Sequence, residues 1–174
     1  MEVPIILYGS AVLRKHSADV HEEDDVKTLG ENLSMTLKKA GGVGLAAPQI
    51  NILKRAFAID TTPMSEQDEN VPAFEGIFIN PVILGSTGRN VIFREGCLSI
   101  PDIFEEVARP ESVVVRYQDT FLGIHEQEFS GIIARIFQHE YDHLEGILFI
   151  DKINLLRRKL ISRKLNKIRK LSKH

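Results

Sequence analysis

Residues 138–143 read QHEYDH, and this short run carries the sharpest chemical signal in the chain. His139 and His143 stand four apart, so on a helix both imidazoles leave the same face and can hold one cation. Glu140 follows the first imidazole, where a carboxylate can reach a water held by that cation rather than the cation itself. The competing reading is a solvated helix face that happens to hold two histidines and several acids. Two ligands are too few for a catalytic centre, which usually has three protein ligands and an open position. Downstream, only His174 on a basic tail offers another imidazole, and Glu145 and Asp151 follow His143 too closely to loop back. Upstream, the lone cysteine, Cys97, lies in REGCLSIP (94–101). One thiolate and two imidazoles make a workable tetrahedral set with water as fourth ligand, although a cysteine taken by itself reads as buried filler.

A third segment, GGVGLAAPQI (41–50), has glycines that let backbone approach closely and a small Ala46–Ala47 pair that permits tight packing. Gln49 offers an amide that can donate to a developing oxyanion. The plainer alternative is a helix end, a tight turn and a surface glutamine.

The elements that must position these groups can be read from periodicity. Val26, Leu29, Leu33, Leu37 and Ala40 step by three or four, which predicts a helix from Asp24 to Ala40, capped by Asp24 or Asp25 and ended by Gly41 or Gly42. A second helix is predicted from Gly131 to Leu144, with Ser130 as N-cap, Gly146 just past its end, and Ile132, Ile133, Ile136, Phe137 and Leu144 on its buried face. After Asp151 a third helix places Ile153, Leu156, Leu160, Ile161, Leu165, Ile168 and Leu171 on one broad arc. Segments 55–60, 74–84, 90–94, 103–108, 112–118 and 121–129 read as antiparallel strands, and polar 61–72, with two prolines, reads as an exposed loop. Strands grouped before a late core helix give the α+β class. The expected architecture is antiparallel β-sheets packed around a central helix carrying HExxH, with an N-terminal and a C-terminal helix. No repeat or linker divides the chain, so residues 1–174 are expected to form one domain, with 151–174 as its basic C-terminal helix.

The net charge of −2 hides an asymmetry: residues 151–174 hold ten of the 22 Lys and Arg and one acidic residue, a balance of +9, leaving −11 on residues 1–150. An acidic body excludes generic nucleic-acid binding by the domain as a whole but leaves a local contact open to the tail. Apolar residues at 43 % and charged residues at 26 % exclude a disordered chain, and no apolar run is long enough to span a bilayer. The first residues, MEVPIILYGSAVLRKH, lack secretory or transit character, so a cytoplasmic location is expected.

Taken in order and at these separations, GVGLAAPQ (42–49), EGCLS (95–99) and QHEYDHLEG (138–146) resemble the peptide deformylases of bacterial type, which carry a C-terminal helix. The resemblance spans about a hundred residues, with no substitution at a position the family pattern marks as functional. It implies hydrolysis of the N-formyl group from the initiator formyl-methionine of nascent polypeptides, giving formate and a free amine. Cys97, His139 and His143 would hold a divalent metal, Fe²⁺ by family habit, with Ni²⁺, Co²⁺ or Zn²⁺ as replacements. Glu140 would act as general base and then general acid, and Gln49 with the Leu98 N–H would donate to the oxyanion. Val43, Gly44 and Gly96 would line the substrate strand and the methionine pocket, and Ile132 and Ile136 would face that pocket. Glu95 and Arg109 could form a supporting ion pair; the alternative is two exposed charges. The tail 151–174 offers a ribosome contact, and a monomer is expected. No role for loop 61–72 or Phe104 follows from the resemblance. Two other readings compete. A small HExxH zinc metalloprotease needs a downstream third ligand, and a non-catalytic metal- or ribosome-binding domain has no need of Glu140.

Overall fold

The structure is a computed structural model that describes residues 3–172; Lys173 and His174, the end of the predicted basic tail, lie outside the described residues. Helix α1 spans Val26–Ala40. The Asp25 carboxylate accepts the Thr28 N–H at 3.1 Å at its start, and Gly41 ends it in the left-handed region at φ 66°. Its apolar stripe, Val26, Leu29, Leu33 and Leu37, is buried against Leu45, Ile50, Ala56, Ala58 and Ile79.

Five strands, β1 (Gly44–Ala46), β2 (Ala56–Asp60), β3 (Glu75–Cys97), β4 (Ile100–Gln118) and β5 (Ile124–Ser130), pair antiparallel in sequence order within one sheet. Six short strands were expected, and the structure corrects this in two places. Segments 74–84 and 90–94 are one strand, β3, and 103–108 and 112–118 are one strand, β4. Pro81, Gly85 and Gly88 read as turn signals, but the ladder absorbs them through register shifts between Ile79 and Val82, Ile83 and Gly85, and Thr87 and Asn90. Pro110 stays in register opposite Asn90. Strand β1 forms where a turn was expected, and the loop 61–72 carries a one-turn helix, α2 (Thr62–Ser65).

Helix α3, Gly131–Leu144, has the predicted span, but Ser130 makes no side-chain cap bond there. One side of α3 is fixed by aromatic packing: Phe137 meets Phe57 at 5.0 Å and Phe78 at 5.1 Å, both edge-on at 84°. Phe129, Val113 and Val115 complete this cluster. Because the side is locked, the opposite stripe of Ile132, Ile136, His139, Glu140 and His143 is held in fixed register toward β1 and the end of β3.

Helix α4, Leu155–Leu171, starts later than predicted, with the Asn154 side chain accepting the Arg157 N–H at 2.9 Å; Ile153 precedes it. Only Ile161, Leu165 and Ile168 are buried, against Tyr8, Ile103, Val107 and Phe149. Leu156, Leu160 and Leu171 are 64–68 % exposed, so the predicted apolar arc is wider than the stripe that docks. Some of the tail's charge pins the helix to the body. Arg157 grips the buried Glu105 with bonds of 2.8 and 2.9 Å, and Arg169 lies over the Tyr8 ring. Among the described residues no helix is long and apolar enough to cross a membrane.

Candidate metal centre and substrate cavity

Cys97 ends β3, and the β3–β4 turn then carries Leu98 and Ser99 before Ile100 pairs back on Cys97. This hairpin end is folded against the His-bearing stripe of α3. The Cys97 Sγ lies 3.3 Å from the His143 Nε2, and ligand atoms of Cys97, His139 and His143 all fall within 4.8 Å of one another. Sulfur and imidazole ligands bind Zn-sized cations at about 2.3 and 2.1 Å, so atoms this close can share one ion. Glu145 and Asp151 are engaged elsewhere, Glu145 with Arg55 at 2.6 Å and Asp151 with Arg14. Among the described residues, the group that could hold a cation thus takes its third member, Cys97, from upstream, and neither Glu145 nor Asp151 joins it.

The two imidazoles are tuned differently. His139 Nδ1 is 2.9 Å from Glu95 Oε2, which fixes Nδ1 as the protonated nitrogen and leaves Nε2 free for a cation. Burial works against the charged form of His139, but the Cys97 thiol and the Glu95 carboxylate hold its pKa well above the usual histidine value. His143 is pushed well below that value by burial first and then by the charge of His139. The pair is thus split, with positive charge favoured at His139 and disfavoured at His143.

Glu95 and Arg109 are not exposed charges. Both are buried, and Arg109 binds both Glu95 oxygens, at 2.6 and 2.9 Å. Arg109 also reaches Asp142 at 2.6 Å, while Arg135 on α3 donates to Glu95 at 2.9 Å and to the Val107 carbonyl at 2.9 Å. Burial alone would raise the Glu95 pKa; the bonds from His139 and Arg109 override it and hold the carboxyl far below the usual range. The network ties β3, β4 and α3 together behind Cys97, His139 and His143. Arg135 and Asp142 were not singled out in the sequence, and the available signal was a cation on an otherwise apolar helix face.

Glu140 is 3 % exposed, and its Oε2 has no hydrogen-bond partner among the described residues. Its pKa is pushed up to about 7, chiefly by burial, with the charge of His139 acting in the opposite sense. Gly44 makes this approach possible, since a Cβ there would lie 2.3 Å from Glu140 Oε1. Gln49 is buried rather than on the surface. Its Oε1 accepts the Ala46 N–H at 2.8 Å, which orients Nε2 toward Ser99 Oγ at 3.1 Å and Cys97 Sγ at 3.5 Å. Ser99, within the EGCLS run, thus positions the amide and was legible only as part of that motif.

One cavity of about 430 Å³ is lined by Val43, Gly44, Gln49, Gly96, Cys97, Leu98, Ile132, Ile136, His139 and Glu140, while His143 stands buried behind it. Phe93 and Arg94 also line it and were not predicted to, and Phe104, for which no role followed from the resemblance, lines it as well.

Residues 3–159 match the family model described as polypeptide deformylase. A peptide deformylase of Flavobacterium johnsoniae is 44 % identical over 177 residues, 97 % of this chain and 90 % of its own length. Among solved structures, a peptide deformylase of Plasmodium falciparum superposes with a TM-score of 0.87 at 38 % identity, covering 97 % of this chain and 96 % of that one. A Met-Ala-Ser-bound class I type b peptide deformylase of Acinetobacter baumannii gives a TM-score of 0.81 at 34 % identity, over 88 % and 99 % of the two chains. With sequence, fold and cavity in agreement over nearly the whole length, the chain belongs to the polypeptide deformylase family, hydrolases that remove the N-formyl group from nascent peptides.

Proposed function

We propose that Cys97, His139 and His143 hold one divalent cation and that Glu140 and Gln49 carry out formyl hydrolysis beside it. The observation that carries this reading is the convergence of the three ligand atoms next to a buried carboxylate with one unpartnered oxygen. When bound, the cation supplies Lewis-acid polarisation of the formyl oxygen and activates water near neutral pH. Glu140 takes a proton from the attacking water and passes it to the amine nitrogen as the C–N bond breaks, leaving formate and a free amino terminus. The Gln49 amide and the Leu98 N–H donate to the oxygen that gains negative charge. Ile132 and Ile136 offer an apolar wall for the methionine side chain, and Val43, Gly44 and Gly96 lie beside the peptide strand.

The cation is Fe²⁺ in this proposal; the thiolate and imidazole donors fit it, as they also fit Ni²⁺, Co²⁺ and Zn²⁺. Residues 1–174 act as one catalytic domain and as a monomer in the cytoplasm, where formylated chains emerge. Lys159, Arg163, Lys164, Lys167 and Lys170 are exposed on α4, which supports a ribosome contact through this helix.

The test is formate release from formyl-Met-Ala-Ser by protein purified anaerobically with Fe²⁺. Wild type should release formate, and Glu140→Gln should lose nearly all activity while still binding the cation. Full activity in Glu140→Gln, or cleavage of an internal bond in unformylated Met-Ala-Ser, would overturn the reading.

A further inference from the structure

The rim of the cavity carries an arrangement that formyl hydrolysis does not need. Between the register pairs Glu95–Glu105 and Cys97–Ile100, Gly96 alone opposes four residues of β4, Pro101 to Phe104. A bulge of this size re-aims side chains next to a site. Ile103 turns into the core, while Asp102 adopts φ 61° and Phe104 lies over Gly96. The ring is so close that a Cβ on Gly96 would sit 2.5 Å from Phe104 Cε1. Phe104 is 53 % exposed, so one side of its ring stays open at the cavity mouth.

Arg94 is laid over this ring, its guanidinium 5.1 Å from the ring centre. Its cross-strand neighbour is Glu106, yet Arg94 forms no ion pair with any described residue. The other guanidinium on the cavity lining, Arg135, is committed to Glu95 and to backbone carbonyls. Asp102 is the exposed acid on the lining, and Glu95 and Glu140 are buried within it. Arg94 is therefore the uncommitted cation of the cavity, held in place by an aromatic face. It stands three residue steps along the strand from the proposed ligand Cys97, roughly 10 Å at the rise of an extended chain. A peptide with its formyl group at Cys97 reaches that distance with its second or third residue.

We propose that Arg94, braced by Phe104, is a specificity-determining residue that favours an acidic side chain at the second or third position of the formylated peptide. This rests on the proposed placement of the formyl group beside Cys97. The partner is a side-chain carboxylate of the substrate, so the probes are amidated at their C-terminus to remove the terminal one.

The experiment compares kcat and KM of the Fe²⁺-loaded enzyme on formyl-Met-Ala-Asp-Ala-amide and formyl-Met-Asp-Ala-Ala-amide against the same peptides with Asn. Expected is a several-fold higher kcat/KM for Asp at one of the two positions, carried by KM and shrinking with added salt. Arg94→Gln should bring the Asp/Asn ratio to one or below, since Asp102 remains, and Arg94→Glu should make Lys peptides the better substrates. Phe104→Ala should lower the ratio without reversing it. A ratio of one at both positions in wild type, or a ratio that survives Arg94→Gln, overturns the proposal while leaving the catalytic reading intact. Failure of wild type to release formate from any of the four peptides would count against the catalytic reading itself, and the proposal would fall with it.

Discussion

Replacing Glu95 by Gln keeps the size of the side chain and removes its charge. In the structure four bonds converge on this carboxylate, two from Arg109, one from Arg135 and one from His139. The amide of Gln must turn an NH₂ toward two of these donors, so a pair of acceptor contacts becomes a pair of donor clashes. Breaking a buried ion pair by removing one partner costs about 3–5 kcal/mol. Arg109 keeps Asp142 and Arg135 keeps the Val107 carbonyl, so the expected loss lies at the lower end, about 3 kcal/mol. For a chain of 174 residues each kcal/mol moves Tm by roughly 2–4 °C, giving a fall of roughly 6–12 °C. In either orientation of the amide His139 no longer faces a charged acceptor, which should weaken cation binding by roughly 10- to 100-fold. Calorimetry of metal-stripped protein reads the first effect, and a Co²⁺ titration followed by thiolate-to-metal absorption reads the second. A variant that melts with wild type and binds Co²⁺ equally well would refute the claim that this carboxylate ties the strands to the ligand helix.

Three other outcomes follow from the same geometry. Gly44→Ala places a methyl group against Glu140 Oε1, so formate release should fall about 10²-fold, as a misplacement of about 1 Å can cost, with Tm changing far less than activity. Gln49→Ala removes the proposed oxyanion donor and should lower kcat by about 10²–10³-fold. It also strands the Ala46 N–H, for a stability loss of about 1–3 kcal/mol in denaturant titrations. Asp151→Asn removes the carboxylate that pairs with Arg14 and Arg158. Burial opposes ionisation of Asp151, but the bond from Arg14 and the Leu148 N–H lower its pKa below the usual value of 3.8. A lowered folded pKa gives stability that is present above the unfolded value and disappears as pH falls through the folded one. The partly exposed pair should be worth about 1 kcal/mol. The gap in Tm between wild type and Asp151→Asn should hold from neutral pH down and close in the acid range below the usual carboxylate pKa; a gap that widens there would contradict the pairing.

How much of this was legible in the sequence depended on how local each feature is. His139, Glu140 and His143 follow from the pitch of one helix, and their apolar companions Ile132 and Ile136 follow from the same pitch. Cys97 and Gln49 were legible because short motifs surround them, although nothing in their spacing says that Gln49 leans on Ser99 and Ala46. The Glu95–Arg109 pair could be suspected, but its burial could not, because that depends on Arg135 and Asp142 arriving from α3. Strand boundaries failed for a related reason. Pro81, Gly85 and Gly88 break local β-propensity, yet pairing with β4 alone holds the irregular ladder together beyond the reach of β2, and that partner is remote in sequence. The α4 arc erred in the other direction: hydrophobic spacing identifies the faces that could dock, whereas the curvature of the body decides that only Ile161, Leu165 and Ile168 do.

The bulge opposite Gly96 shows why the rim was the least legible part and the most individual. The candidate metal centre constrains Cys97 and Glu95 on one strand, and the core constrains Ile100 and Ile103 on the other. The intervening residues need only bridge those fixed points, so their side chains are free to face the cavity mouth. Local pattern cannot announce such residues, because neither periodicity nor a motif governs them. On the proposed role of Arg94 and Phe104, selectivity among peptides can therefore change there without disturbing the candidate ligand Cys97, whereas a change at Gly96 cannot be made without moving the Phe104 ring.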